Sequence, residues 1–124
     1  MEEDAAIPFA VNTSAEFDRW WEECGETLQD AIAAYVGLLE EVGPNLGRPY
    51  ADTLRGSTIT NLKELRVQHQ GQPYRILFAF DSKREALLLL GGNKASDRRW
   101  YRQAIPRAEA IFARHLAELE DYDG

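Results

Sequence analysis

Apolar residues recur along this chain first with a helical period, then with a strand period, then with a helical period again. Phe17, Trp20, Trp21 and Cys24 stand at i, i+3, i+4 and i+7, which makes one helical stripe. Thr13 and Glu16 match the T-x-x-E capping box that opens such a helix. Gly25 interrupts the pattern. A second helix is predicted from Thr27 to Glu41, with Leu28, Ile32, Tyr35, Val36 and Leu39 on one face. The breaker-rich "GPNLGRP", residues 43–49, ends it. Two helices this close in sequence predict an antiparallel hairpin. Upstream, Ile7 to Val11 ("IPFAV") is a short strand candidate, and Pro8 suits a strand start or a sheet edge.

The middle of the chain alternates. Leu62 to His69, Tyr74 to Asp81 and Glu85 to Leu90 are predicted as three strands joined by short turns. The third is apolar on both faces, so it belongs in a central or well-covered position. After "GGNKASD", Trp100, Ala104, Ile105, Ala108, Ile111, Phe112, Leu116 and Leu119 restore the helical period over "RRWYRQAIPRAEAIFARHLAEL". Pro106 inside that pattern predicts a kink or a restart, and the terminal "DYDG" is expected to fray. The order is β-α-α-β-β-β-α. It predicts an α+β fold, a small antiparallel β-sheet packed on an N-terminal helical hairpin plus a C-terminal helix, in one domain over residues 1–124.

Turn chemistry sets the register of the first two long strands. A two-residue Gln70-Gly71 loop places Arg66 opposite Arg75, Leu65 opposite Ile76 and Val67 opposite Tyr74. One face then carries Leu65, Val67, Tyr74, Ile76 and Phe78, and the other carries Glu64, Arg66, Gln68, Arg75 and Leu77. A three-residue loop would flip the relative faces. Like charges directly opposite each other cost about 0.2–1 kcal/mol, so the arginine pair needs a reason. Either Glu64 or another acid ties both guanidinium groups into an ion-pair network, or the two planar forks form a site for phosphate.

Charge is distributed unevenly. The chain of 124 residues carries a formal net charge of −7. Residues 1–46 hold eleven acids and one base, residues 47–107 hold twelve bases and five acids, and residues 108–124 hold one base and five acids. Such a balance argues against a DNA-coating protein but leaves room for a local anion-binding surface in the middle segment. The acidic helical hairpin is not expected to touch RNA. The single cysteine, Cys24, excludes an internal disulfide or a cysteine-based zinc site, and its place on a helical stripe suits a small buried thiol. No HExxH or paired His/carboxylate motif supports a metal, and no cofactor is expected. No apolar run approaches the roughly 20 residues of a membrane helix, and the N-terminus lacks the basic region of a signal peptide. A cytoplasmic protein is therefore expected.

Further basic and stacking groups surround the strands. Lys63 starts the first of them, His69 opens the turn and Lys94 lies in the loop after the third. Arg98, Arg99 and Arg102 start the last helix, with Trp100 and Tyr101 interleaved. Aromatic side chains among bases suit RNA recognition. In that setting Trp100 reads as a core residue and Tyr101 as the better stacking group.

The segments "LGRPYADTLRGS", "NLKELRVQ", "YRILFAFD", "LLLLGGNK" and "RWYRQAIPRAEAIFARHL" together resemble HigB-like toxins of phage-derived type in the RelE/ParE superfamily. The resemblance covers nearly the whole chain, and its specificity lies in the ordered set rather than in any one segment. It implies a small sheet packed on helices with a concave basic face. It also implies a type II toxin that cleaves mRNA on the ribosome without a metal and is held inactive by a HigA-like helix-turn-helix antitoxin. In that chemistry the RNA's 2′-OH attacks the adjacent phosphate while the protein supplies a base, an acid and cations for the developing charge. Carried over by position, Arg66, Arg75 and Lys94 fit the catalytic cations. Tyr74 is a weaker catalytic match. Lys63, His69, Arg98, Arg99, Tyr101 and Arg102 are candidates for RNA binding. The implied partners are the antitoxin, the ribosome and mRNA. No membrane partner and no sequence-specific DNA binding by this chain alone are expected. Two other readings compete: a non-enzymatic, ParE-like inhibitor of a protein such as gyrase, and a degenerate toxin that acts only with its antitoxin in repression.

Overall fold

Five strands form one sheet in the spatial order β1-β5-β4-β3-β2, with helices on both faces, in a computed structural model that describes residues 8–59, 61–95 and 98–123. The elements are β1 (Val11–Thr13), α1 (Ala15–Glu23), α2 (Glu26–Val42), a single 3₁₀ turn (Gly43–Asn45), β2 (Ala51–Thr53), β3 (Lys63–His69), β4 (Gln72–Phe80), β5 (Ala86–Asn93) and α3 (Arg98–Asp123). The α+β class predicted from the sequence holds, and the predicted order β-α-α-β-β-β-α gains one short strand, β2, ahead of the three long ones. The sheet itself is mixed: β2, β3, β4 and β5 pair antiparallel, while β1 runs parallel to β5.

Strand alternation divides the interior into two cores. Leu65, Val67, Ile76, Phe78 and Leu88 meet Phe17, Ile32 and Leu39 of α1 and α2 on one face. Leu62, Leu77, Ala79, Leu87 and Leu89 meet Ala104, Ala108, Ile111 and Phe112 of α3 on the other. β5 lies between β1 and β4 and is buried on both sides, as its unbroken apolar run predicts. It also extends past Leu90 through Gly91, Gly92 and Asn93. These two glycines seat tryptophans: a Cβ at Gly91 would run into the Trp20 ring, and one at Gly92 into the Trp100 ring.

The hairpin register is the one the turn chemistry requires. Arg66 pairs with Arg75, Leu65 with Ile76 and Val67 with Tyr74. Gln70 and Gly71 both take positive φ, 50° and 77°, as a type I′ turn demands.

Several local expectations give way to competing bonds. β1 is Val11–Thr13 rather than Ile7–Val11; Ile7 lies outside the described residues. Phe9 is instead held at the end of α2, where its N–H donates to the Glu40 carbonyl and its ring meets Phe80 edge-on. Thr13 pairs with Leu88 inside the sheet, so it cannot cap α1. Ser14 takes that role: its hydroxyl accepts from the Phe17 N–H at 2.9 Å and donates to the Leu89 carbonyl at 2.6 Å. The three-residue β2, absent from the sequence reading, sits between turn-forming residues and is defined only by its pairing with Leu65, Glu64 and Lys63. α3 runs through Pro106 unbroken and reaches Asp123 rather than fraying at "DYDG". Pro106 and Arg102, the residue whose carbonyl loses its donor, are both exposed, where an unpaired carbonyl costs least.

An ion pair and a histidine–carboxylate hydrogen bond pin the far half of α3. Arg114 donates to both carboxylate oxygens of Glu16, at 2.9 and 3.0 Å, and His115 Nε2 lies 3.0 Å from Asp81 Oδ2. The Arg114 hydrogen bond holds the Glu16 carboxyl at about 2, well below its ordinary 4.5. Burial pushes Asp81 up, but the bond to His115 and the backbone N–H groups of Glu85 and Lys83 outweigh it and hold it below 3.8. Depressed carboxyl values stabilise the fold above the unfolded-chain pKa, and that contribution disappears as pH falls through the folded value. The melting temperature is therefore expected to drop as pH is lowered from 4.5 toward 2. Arg114→Ala should flatten that slope, because it removes the Glu16 contribution in advance. An Arg114→Ala variant with an unchanged slope would contradict this.

Candidate functional site

The arginine pair faces α3, and a carboxylate lies between the two guanidinium groups. Glu64, Arg66 and Arg75 share a face because residues two apart on β3 point the same way and Arg66 is registered on Arg75. Glu64 is only 4% exposed. Its Oε2 accepts from Arg66 Nη1 at 2.9 Å, and its Oε1 accepts from the Tyr101 hydroxyl at 2.6 Å. Arg75 Nε approaches the same Oε1 at 3.5 Å without completing a hydrogen bond, while Arg75 Nη1 donates to the Tyr74 carbonyl at 3.0 Å. One buried carboxylate thus relieves the repulsion of two facing cations and leaves the trio with a net positive charge.

The two arginines differ in access. The Arg75 side chain is 5% exposed and Arg66 30%. Arg66 reaches the wall of an open groove of about 370 Å³, which Tyr35, Arg48, Tyr50, Gln68 and Arg75 also line. Arg48, exposed at the groove's outer edge, is ion-paired to Asp52 at 2.7 Å.

α3 closes the cluster from the other side. Trp100 sits on Gly92 and meets the Tyr101 ring edge-on at 5.1 Å. Lys94 Nζ lies 5.9 Å from the centre of the Tyr101 ring, in the range of a cation–π contact. Burial, and then the hydrogen bond to Glu64 and its charge, push the Tyr101 phenol up to about 12, with Arg75 opposing. Tyr101 therefore stays protonated at neutral pH, as a donor committed to Glu64.

The structure gathers Arg66, Arg75 and Tyr101 around Glu64, with Lys94 near the Tyr101 ring. Tyr74 and His69 are placed elsewhere, because the alternation that puts Arg75 on one face puts them on the other. Tyr74 pairs with Val67 and packs against the α1/α2 core, and His69 Nε2 lies 3.2 Å from Thr27 Oγ1 at the start of α2. Lys63 also turns away, with Nζ 3.4 Å from the Pro44 carbonyl and from Thr53 Oγ1. Arg98, Arg99 and Arg102 are exposed on the first turns of α3. Of these, Arg99 lines a second cavity of about 280 Å³ with Asn93, Lys94 and Trp100. Cys24 is half-buried with its thiol pKa raised by burial and by Glu23, and it donates to the Trp20 carbonyl. Among the described residues, no group of three or more His, Cys, Asp or Glu side chains is placed to hold a metal ion. No described helix is long and apolar enough to cross a membrane.

The central place of Glu64 was partly visible in the sequence, since alternation puts it beside Arg66. The Tyr101–Glu64 bond was not, because it joins residues 37 positions apart on elements that only packing brings together.

A small sheet with two helices on one face and a long C-terminal helix on the other is the fold of the RelE toxins. A mutant of the Escherichia coli toxin RelE in its free state matches with a TM-score of 0.58 at 14% identity, over 82% of this chain and 98% of that one. The complex of the toxin–antitoxin pair RelBE2 from Mycobacterium tuberculosis matches through one chain with a TM-score of 0.53 at 17% identity, over 76% and 100%. At sequence level the chain belongs to the family of phage-derived Gp49-like proteins (DUF891), whose model matches residues 19–113. Two M. tuberculosis relatives carry the names "Putative toxin HigB2" and "Putative toxin HigB3". The first is 43% identical over 117 residues, covering 90% of this chain and 58% of its own length. The second is 44% identical over 101 residues, covering 81% and 87%. The chain thus spans little more than half the length of the first relative.

Proposed function

We propose that this chain is the toxin of a type II toxin–antitoxin pair and that it inhibits translation by cutting mRNA on the ribosome. The observation that carries the reading is the cluster of Arg66, Arg75 and Glu64 opening on a groove, with Lys94 near the Tyr101 ring that bonds Glu64, in a chain whose relatives are named as HigB toxins. Arg66 and Lys94 are the accessible cations, and they are assigned to the phosphate. Arg75 acts from beneath, fixing Glu64 and adding positive potential in a low-dielectric setting where charge counts for more. The cut itself is transesterification. The RNA's 2′-oxygen attacks phosphorus, the bond to the 5′-oxygen breaks, and negative charge builds on the phosphorane oxygens where preorganised cations are most effective. No metal ion enters this scheme. A HigA-like helix-turn-helix antitoxin would hold the toxin inactive in the cytoplasm.

One observation favours a non-enzymatic inhibitor of a protein target: Arg75 is buried and its charge is answered inside the protein. Inducible expression followed by primer extension on cellular mRNA separates the readings. Growth arrest with new cuts inside coding regions, both relieved by the antitoxin, is the expected result. Growth arrest with intact mRNA would replace the nuclease by the inhibitor.

A further inference from the structure

The acidic side of the molecule carries an open apolar groove beside the outer edge of the sheet. β1 is the outermost strand, and no described strand lies beyond it. The Ala10 carbonyl and the Ser14 N–H both bond to β5, at 3.0 Å each. By alternation, Val11 and Thr13 turn their backbone N–H and C=O groups outward. Next to this edge lies a groove of about 360 Å³ between α1 and α2, with Phe17, Trp21, Ala33 and Val36 along it and Asp18 and Glu40 among its lining. Neither carboxylate is ion-paired among the described residues, unlike Glu16 on the same helix. α1 and α2 together hold eight acids and a single base, Arg19.

We infer that this groove is the docking site of an extended, cationic peptide segment, which adds a strand to β1 and lays alternate apolar side chains against Trp21 and Val36. Its source is the antitoxin, so the inference rests on the toxin reading given above. Edge-strand addition suits these features together. The outward backbone groups supply directional bonds, the groove takes every second side chain, and the unpaired acids select Lys or Arg around the apolar anchors. RNA is a poor occupant, because the same acids repel phosphate.

The test uses the full chain and the helix-turn-helix protein encoded beside its gene. Dissociation constants are measured at two salt concentrations for wild type, Asp18→Lys/Glu40→Lys and Ala33→Arg, with amide exchange followed at Val11 and Thr13. The charge reversal is expected to weaken binding at least ~10-fold and to lower its salt dependence. Ala33→Arg, which fills the groove, is expected to weaken it similarly, and it decides the matter if the double variant fails to fold. The Val11 and Thr13 amides should exchange more slowly in the complex. Unchanged affinity and exchange, or no binding at all, would overturn the proposal. So would slowing of these amides by self-association of the chain alone. Growth arrest by wild type expressed without its partner is scored in parallel. Arrest without groove-dependent binding sinks only the docking site, while groove-dependent binding without arrest sinks only the toxin reading.

Discussion

Glu64→Ala is expected to cost on the order of 3–5 kcal/mol of folding stability, because removing one member of a buried ionic cluster leaves the others uncompensated. Here the loss is compounded: Arg75 stays buried beside a facing Arg66, and the Tyr101 hydroxyl loses its acceptor. Against a typical domain stability of about 5–15 kcal/mol, that is a large share. In thermal melts it should appear as a fall of at least about 10 °C. Glu64→Gln keeps the shape and one acceptor oxygen but not the charge, so it should fall between wild type and Glu64→Ala. If Glu64→Ala melted within a degree or two of wild type, Glu64 would not be the centre of this cluster.

The second large effect is on activity. Arg66→Ala and Lys94→Ala are each expected to lower mRNA cleavage about 10²–10³-fold, the usual result of deleting one preorganised stabiliser of transition-state charge. Lys94→Ala should melt close to wild type, while Arg66→Ala, which takes away the 2.9 Å partner of buried Glu64, should melt modestly lower. The Arg66 side chain is 30% exposed and its loss also removes the repulsion with Arg75, while Lys94 is only partly buried and touches the Tyr101 ring from outside. Arg75→Ala cannot separate chemistry from folding in the same way. It deprives buried Glu64 of a partner and should lower activity and melting temperature together. Arg66→Ala with full cleavage would move the site away from this groove.

The parts of this protein visible in its sequence are those fixed by local chemistry. Gln70-Gly71 dictates a type I′ turn, and the turn dictates the register that brings Arg66 opposite Arg75. The stripes of Phe17, Trp20 and Trp21 and of Leu28, Ile32 and Leu39 mark helices whatever they pack on. The misses are places where a distant partner decides. Pairing with Leu88 keeps Thr13 in the sheet and hands the helix cap to Ser14. β2 exists because β3 has a free edge, and its parallel counterpart β1 lies against β5, 75 residues further along at Val11 and Ala86. The candidate site shows the same division. Alternation alone places Glu64 with the arginines and separates them from Tyr74. Tyr101 joins only because Gly92 lets Trp100 seat the start of α3 over the cluster.

The nuclease claim is tested most directly by the chemistry of the RNA ends. Purified protein is added to ribosomes translating a defined mRNA, and the fragments are probed at both termini. The account predicts cuts that require the ribosome, with a 2′,3′-cyclic phosphate on the upstream fragment and a 5′-hydroxyl on the downstream one. The Arg66→Ala and Lys94→Ala proteins should give the same ends at about 10²–10³-fold lower rate. Fragments ending in 3′-hydroxyl and 5′-phosphate, or intact mRNA from protein that still arrests growth, would contradict it.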